Sequence, residues 1–309
     1  MILSVVIATY ARPEGLRKAV QSLLQQTRPP DEIIAVAWSG DAPTLLAIED
    51  LGRLHMPRGA LSLRSVIVGA RDLTAKENAG IRAARGDILC FMDDDAVARP
   101  EWLERLEVHY GDPTVGAVGG RDVIWLGGRE FGREARAVGR INWLGRVTCN
   151  HHEIVRGCRE VDFLKGCNMS FRRDVLRPVE GRLAGPVPYG FEIDLGLYVR
   201  SMGRRVLYDP EVLVDHYPTR DYGADSQEMA WVVNHNQTYV LLKHLTWPRK
   251  LAFLAYTFGV GDKNTIGLAR VPYLALRHHW RAAALKAQFA GKLAGIKTYL
   301  HAAGRGGKA

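Results

Sequence analysis

Ile88-Leu89-Cys90-Phe91-Met92-Asp93-Asp94-Asp95 is the stretch on which the reading of this chain turns. Its apolar half has the length and continuity of a strand covered on both faces, and it runs straight into three carboxylates. In an open parallel sheet, ligands bind beyond the carboxyl ends of the strands. Three adjacent carboxylates at such a place repel one another unless a cation lies among them, and hard oxygen donors select Mg²⁺ or Mn²⁺. The plain alternative is a solvated acidic turn leading into a helix near Pro100. The buried character of the preceding strand favours a metal site.

Strand-like and helix-like segments alternate back to the N-terminus. Residues 2–9 form a continuous, largely β-branched run that suits a strand buried on both faces. Pro13 then opens a helix whose Leu16, Ala19, Val20, Leu23 and Leu24 keep helical spacing, and Pro29-Pro30 stops it. Residues 32–37 read as a second strand, 44–54 as a second helix and 61–68 as a third strand. A third helix, 74–84, closes at Gly86 before the strand 87–92. This alternation implies an α/β protein with a parallel sheet and right-handed crossovers. Downstream, 117–126 is Gly-rich and extended, 127–150 basic and loop-like, and 161–172 strand-like. An amphipathic helix over 192–202 precedes short strands at 205–208 and 212–214. From 225 the pattern is helical, which puts a boundary near Tyr222.

Hydrophobic content of 47% and charged content of 24% describe a globular chain. No apolar run approaches the roughly 20 residues of a membrane helix, and the N-terminus lacks the marks of a signal peptide. The four cysteines are too few for a disulfide scaffold in 309 residues, so a reduced, cytoplasmic protein is expected. Cys149, Cys158 and Cys167, near His151 and His152, match no zinc spacing and read as ordinary thiols. The net charge of +9 is concentrated at one end. Residues 263–309 hold nine Lys/Arg and no acid, while the other 33 basic residues balance 33 acidic ones. With Trp280, Phe289 and Tyr299 among them, those cations suit an anionic membrane surface. No nucleic-acid recognition module accompanies the charge, so nucleic acid is not an expected partner.

Several ordered pieces of the chain resemble glycosyltransferase family 2, whose fold is the GT-A nucleotide-diphospho-sugar transferase fold. They are Ser4-Val5-Val6-Ile7-Ala8-Thr9-Tyr10-Ala11-Arg12, Asn78-Ala79-Gly80-Ile81, Ala84-Arg85-Gly86-Asp87 and Phe91-Met92-Asp93-Asp94-Asp95. Gly166-Cys167-Asn168-Met169-Ser170-Phe171-Arg172-Arg173, Glu192-Ile193-Asp194-Leu195-Gly196 and Tyr208-Asp209-Pro210 with His216 complete the set. The resemblance implies a GT-A catalytic domain over 1–222, with a donor half of about 1–120 and an acceptor half of about 121–222, followed by a helical, basic region over 223–309. It implies an inverting sugar transfer from a UDP-, GDP- or dTDP-linked donor to a glycan or lipid-linked acceptor of the cell envelope. Such an enzyme would rest on the inner face of the cell membrane. Asp95, Asp93 and His216 are then the implied ligands of Mn²⁺ or Mg²⁺. Donor contacts fall on Ala8, Thr9, Tyr10, Arg12, Trp38, Lys76, Asn78, Asp93 and Asp94, and acceptor contacts on Gly166, Cys167 and Asn168.

Three places depart from the family pattern. The usual Glu-Asp pair reads Phe191-Glu192, so alignment on Leu195-Gly196 makes Glu192 the expected catalytic base and Asp194 the runner-up. An acidic residue that reads the nucleobase is replaced in Val36-Ala37-Trp38-Ser39-Gly40-Asp41, where Trp38 either stacks on a base or fills core. Ahead of Asn78 an arginine gives way to Glu77, leaving Lys76 or Arg71 as the cation for the diphosphate. A nucleotidyltransferase of similar fold should show a Gly-rich basic loop after the first strand, and 10–15 is not one. A scaffold that has lost activity would fit Ala37 and Glu77, against the retention of Asp93, Asp95, Glu192 and His216.

Overall fold

In the computed structural model, residues 1–53, 62–179, 181–185, 189–218, 226–262, 265–272 and 282–306 are described. The expected boundary near Tyr222, the helix end at Leu54, the strand start at Leu61, and Trp280 lie outside them. In chain order the elements are β1 (Leu3–Ala8), α1 (Pro13–Leu24), β2 (Glu32–Trp38), α2 (Ala42–Gly52), β3 (Ser62–Val68), α3 (Leu73–Ala83) and β4 (Ile88–Phe91). Next come β5 (Ala96–Ala98), α4 (Trp102–His109), β6 (Val115–Leu126), β7 (Arg129–Phe131), β8 (Arg140–Ile141), β9 (Val147–Thr148), β10 (Arg159–Glu160) and β11 (Met169–Arg172). The last are α5 (Phe191–Ser201), β12 (Arg205–His216), α6 (Gln227–His244), α7 (Trp247–Gly259) and α8 (Ala282–Gly306).

Two compact units divide the chain. The first takes Met1–Gly139, Cys149–Val179 and Leu195–Arg220. It holds one sheet in the order β10-β12-β6-β11-β4-β1-β2-β3, with β5 added on β12 and β7 on β6. β3, β2, β1 and β4 run parallel, as their helical connections require. β11 enters antiparallel between β4 and β6, so the sheet is mixed rather than purely parallel. On α1, the side chains of Leu16, Ala19, Val20 and Leu23 are fully buried, as its helical spacing dictates. They join Leu3, Val5, Ile7, Ile33 and Ala35 in one apolar cluster. Gly80 lets α3 lie close on the sheet, since a Cβ there would come within 2.3 Å of Val6 Cγ1.

The structure corrects three expectations from the middle of the chain. The strand expected over 161–172 shrinks to β11, because 165–168 turn back on themselves with Asn168 N donating to Lys165 O at 2.9 Å. The strands expected at 205–208 and 212–214 are one strand, β12, whose pairing with β6 slips between Asp209 and Leu213. Pro210 has no N–H for the ladder, and a bulge is where a sheet tolerates that. The loop-like 127–150 also carries β7, β8 and β9.

The second unit takes Arg140–Thr148, Glu180–Asp194 and Asp221–Ala309. Its main contact is α6 against α8. Gly291 and Gly295, one turn apart, permit this approach: a Cβ at either would lie about as close as 2.4 Å to Trp231 O or 2.5 Å to His235 O. Lys292 between them is buried and donates to Thr257 O at 2.6 Å and Ile266 O at 2.7 Å.

Candidate active site

β1 and β4 are parallel neighbours with Val6 opposite Phe91, so their carboxyl ends deliver Thr9–Arg12 and Asp93–Asp95 side by side. The two loops are joined by hydrogen bonds. Asp94, buried, accepts from Thr9 Oγ1 at 2.8 Å, Tyr10 N at 3.1 Å and Arg12 Nη1 at 2.8 Å. Asp41 caps α2 and also accepts from Ala11 N, which lies in the left-handed region at φ 52°. A non-glycine residue stays there only when its surroundings hold it, and such positions cluster at working sites. Gly15 completes the approach, because a Cβ there would meet Asp94 O at 2.4 Å.

The consecutive carboxylates therefore meet three different environments. Asp94 is a tie between loops; burial pushes its pKa up despite Arg12 and Thr9. Asp95 is also partly buried, yet the hydrogen bond and charge of His216, with Arg12, hold it below the usual carboxylate range. At Asp93, burial together with the Asp95 charge outweighs the opposing charges of His216 and Lys165 and pushes it up to about 6. His216 reaches the pair from the last residue of β12, where it lies opposite Ala96 of β5. Its Nε2 is 3.3 Å from Asp95 Oδ1 and its Nδ1 is 3.8 Å from Asp122 Oδ2. Burial opposes its charge, but Cys167, Asp122 and Asp95 outweigh that and raise its pKa. Ligand atoms of Asp93, Asp95 and His216 lie within 4.8 Å of one another.

Around this centre, Lys76 is buried, donates to Thr9 O at 3.2 Å and lies 5.3 Å from the centroid of the Tyr10 ring. Tyr10 and Trp38 have centroids 6.2 Å apart, and the Arg71 guanidinium lies over both, at 5.0 and 4.9 Å. Trp38 is thus half-buried beside the site rather than in the core. Ala8 is the half-buried last residue of β1.

A sequence profile described as glycosyl transferase family 2 matches residues 4–179. This chain belongs to that family. It is 30% identical over 236 residues to a glucosyl-dolichyl phosphate glucuronosyltransferase of Haloferax volcanii, covering 70% of this glycosyltransferase and 69% of the relative. An undecaprenyl-phosphate mannosyltransferase of Micrococcus luteus is 28% identical over 134 residues, which is 42% of this chain and 50% of that one. Among solved structures, a mannosyltransferase from Pyrobaculum calidifontis in complex with GDP-Man and Mn²⁺ superposes with a TM-score of 0.56 at 18% identity, over 96% of this chain and 86% of that chain. GalNAc-T7 with UDP, GalNAc and Mn²⁺ gives 0.65 at 15% identity, over 90% and 58%. The fold is the GT-A fold.

Some residues of this glycosyltransferase turn out to be placed otherwise than expected. Asn168 is fully buried: Oδ1 accepts from Trp102 Nε1 at 2.9 Å, and Nδ2 donates to Arg121 O at 3.1 Å and Val212 O at 2.9 Å. Fully buried and bonded to three partners, it clamps strands together rather than facing an open groove. Cys167 is buried, its thiol pushed up to about 12 by burial and by Asp122, and it sits beside His216 instead of in an open groove. The Asn78 amide is spent on Val179, donating to its carbonyl at 3.2 Å and accepting from its N–H at 2.6 Å. Asp122 is the residue that the sequence reading missed. Buried on β6 and facing His216, it is the kind of carboxylate that orients a ligating imidazole. Its one sequence signal is an acid, next to Arg121, within a strand that is otherwise apolar or glycine.

The two base candidates open α5, in the second unit. Gly190, at φ 95°, leads into the helix, and Glu192 is half-buried in its first turn. Asp194 is buried and held by Lys243 Nζ at 3.0 Å and His244 Nε2 at 2.7 Å, both at the end of α6.

Proposed function

We propose that this glycosyltransferase is metal-dependent and inverting, and that it moves a sugar from a nucleoside-diphosphate donor to a hydroxyl of a glycan or lipid-linked acceptor of the cell envelope. The observation that carries this reading is the convergence of Asp93, Asp95 and His216 at the carboxyl edge of the sheet. The donor set fits a divalent cation, because burial and the neighbouring Asp95 charge penalise the Asp93 carboxylate more than His216 and Lys165 relieve it, and His216 Nδ1 is buried without a hydrogen bond. A mixed imidazole–carboxylate set suits Mn²⁺ better than Mg²⁺. When bound, such an ion supplies Lewis-acid stabilisation of the charge on the departing diphosphate.

The rest is done by the chain. Asp93 also contacts the sugar–nucleotide, and Lys76 offers a cation to the diphosphate in place of the family arginine. Tyr10 and Trp38 offer ring faces to the nucleobase, and Arg71 lies over those rings. Gly166 keeps its acceptor assignment, in the turn before β11. Glu192 takes the acceptor's proton while the acceptor oxygen forms its bond to the anomeric carbon and the bond to the diphosphate breaks. Support for the substrate classes comes from relatives named for dolichyl phosphate and undecaprenyl phosphate, and from neighbours solved with GDP-Man or UDP. The test is a panel of nucleotide sugars with the purified protein and Mn²⁺. The matching nucleoside diphosphate at one hundred times its Kd should add about 2.7 kcal/mol of stability, and only when Mn²⁺ is present. No stabilisation by any nucleotide would overturn the reading.

We assign the membrane contact to α8. Among the described residues, no helix is long and apolar enough to cross a bilayer. Phe289 and Tyr299, expected as anchors, are turned to the protein: Phe289 lies 5.9 Å from the Phe258 ring and Tyr299 Oη accepts from Lys250 Nζ at 2.7 Å. The outward stripe is Lys286, Leu293, Lys297 and Leu300, at helical spacing, and all four side chains are exposed. Each lysine held near an anionic surface contributes about 1 kcal/mol, so Lys286→Gln with Lys297→Gln should weaken binding to phosphatidylserine vesicles roughly 30-fold. Co-sedimentation measures it, and an unchanged partition would remove α8 from the interface. Deleting 282–309 would be a poor test, because it removes the partner of α6.

A further inference from the structure

Away from the nucleotide site, three residues of different chemistry meet on the first unit. His109 is the last residue of α4. β10 pairs with β12 with Arg159 opposite Tyr208 and Glu160 opposite Leu207, so one step back along β10 sets Cys158 opposite Asp209. Asp209 stands where β12 slips its register against β6, and its Oδ1 accepts from Glu211 N at 2.9 Å. Its Oδ2 lies 2.7 Å from His109 Nε2. One ligand atom from each of His109, Cys158 and Asp209 lies within 4.8 Å of the other two.

We propose that His109, Cys158 and Asp209 form a second metal site, separate from the Asp93–Asp95–His216 centre, and that its ion is Zn²⁺. An imidazole, a thiolate and a carboxylate make a borderline-to-soft set that suits zinc and is foreign to Mg²⁺ and Mn²⁺. Bonds of about 2.0–2.3 Å would space tetrahedral ligand atoms roughly 3.3–3.8 Å apart. The His109–Asp209 contact must therefore open slightly while the exposed Cys158 closes in, both by side-chain rotation. Burial and the Asp209 charge push the Cys158 thiol up, so zinc must displace its proton, whereas the hydrogen bond from His109 holds Asp209 below the usual carboxylate range. The Asp209 carboxylate is already oriented by the Glu211 amide, the kind of outer support that metal ligands have. Exposure of Cys158 provides the entry path and leaves the fourth position to water. The bound ion would tie the end of α4 to β12 and to the segment entering β10.

The site was invisible to spacing rules. Those rules compare Cys158 with Cys149, Cys167, His151 and His152, whereas its partners lie 49 residues before it and 51 after it.

The test uses the full chain stripped with EDTA and then titrated with Co²⁺ as a spectroscopic stand-in for zinc. The expected result is a near-ultraviolet thiolate-to-cobalt absorption that Cys158→Ser abolishes and Asp95→Ala leaves in place. Zinc competition against a chromophoric chelator should show at least a tenfold weaker Kd in Cys158→Ser and in Asp209→Asn. Zinc should also raise the melting temperature of the wild type more than that of Cys158→Ser. Cys158 is exposed, so its serine variant should fold; His109→Gln is the second variant if it does not. Absence of the thiolate band in the wild type overturns the proposal. So does a band that survives Cys158→Ser, since that assigns the ligand to Cys167 beside His216.

Discussion

Asp95→Ala is expected to lower sugar transfer roughly 10³-fold or more, the several kcal/mol that Lewis-acid stabilisation of a leaving group supplies. Asp95 is the carboxylate that both His216 and Arg12 address, at 3.3 and 2.6 Å. Alanine therefore removes a metal ligand and also frees the two cations it held apart. Arg12 keeps its 2.8 Å contact with Asp94, which preserves the tie between the two loops. The fold should survive, with the melting temperature without metal lowered by the lost contacts to Arg12 and His216. Calorimetry should show that Mn²⁺ no longer strengthens nucleoside-diphosphate binding. In the wild type, EDTA should abolish transfer, and Mn²⁺ should restore it better than Mg²⁺. Full activity in excess EDTA would sink the metal assignment.

The second large effect separates two carboxylates of one helix turn. Glu192→Gln should lower turnover roughly 10²-fold or more, as loss of a general base does, with donor affinity and melting temperature nearly unchanged. Asp194→Asn should do the reverse. It breaks the pair that buried Asp194 makes with Lys243 and weakens its contact with His244, at about 3 kcal/mol, which thermal unfolding will report. The physical difference is occupation. Asp194 has its oxygens taken by Lys243 and His244 of α6, whereas Glu192 is half-buried and opens the helix. If Asp194→Asn cripples turnover without loss of stability while Glu192→Gln is mild, the base is Asp194.

Burial patterns explain why parts of this glycosyltransferase could be read early and parts could not. The period of Leu16, Ala19, Val20 and Leu23 and the largely apolar runs of β1 and β4 state which faces are covered, and all but Ala8 are buried as that predicts. The carboxylates after β4 stood at a ligand-binding edge for the same local reason. Nothing local distinguishes Asn168 as an acceptor contact from Asn168 as a core clamp. Its role depends on Trp102, Arg121 and Val212, which are distant in sequence.

The amino-acid sequence by itself determined the parallel half of the sheet, its helices, the carboxylate triplet and the family, because these rest on periodicity and on short ordered motifs. Only the tertiary structure set the surroundings of each carboxylate. Asp94 is a tie because Thr9, Tyr10 and Arg12 fold onto it, and the expected ligands Asp93, Asp95 and His216 meet because β12 runs past β5. It also revealed Asp122 behind His216 and set Cys158 against Asp209. Each of these depends on strand register and a bulge, which are settled by packing over the whole sheet rather than by neighbouring residues.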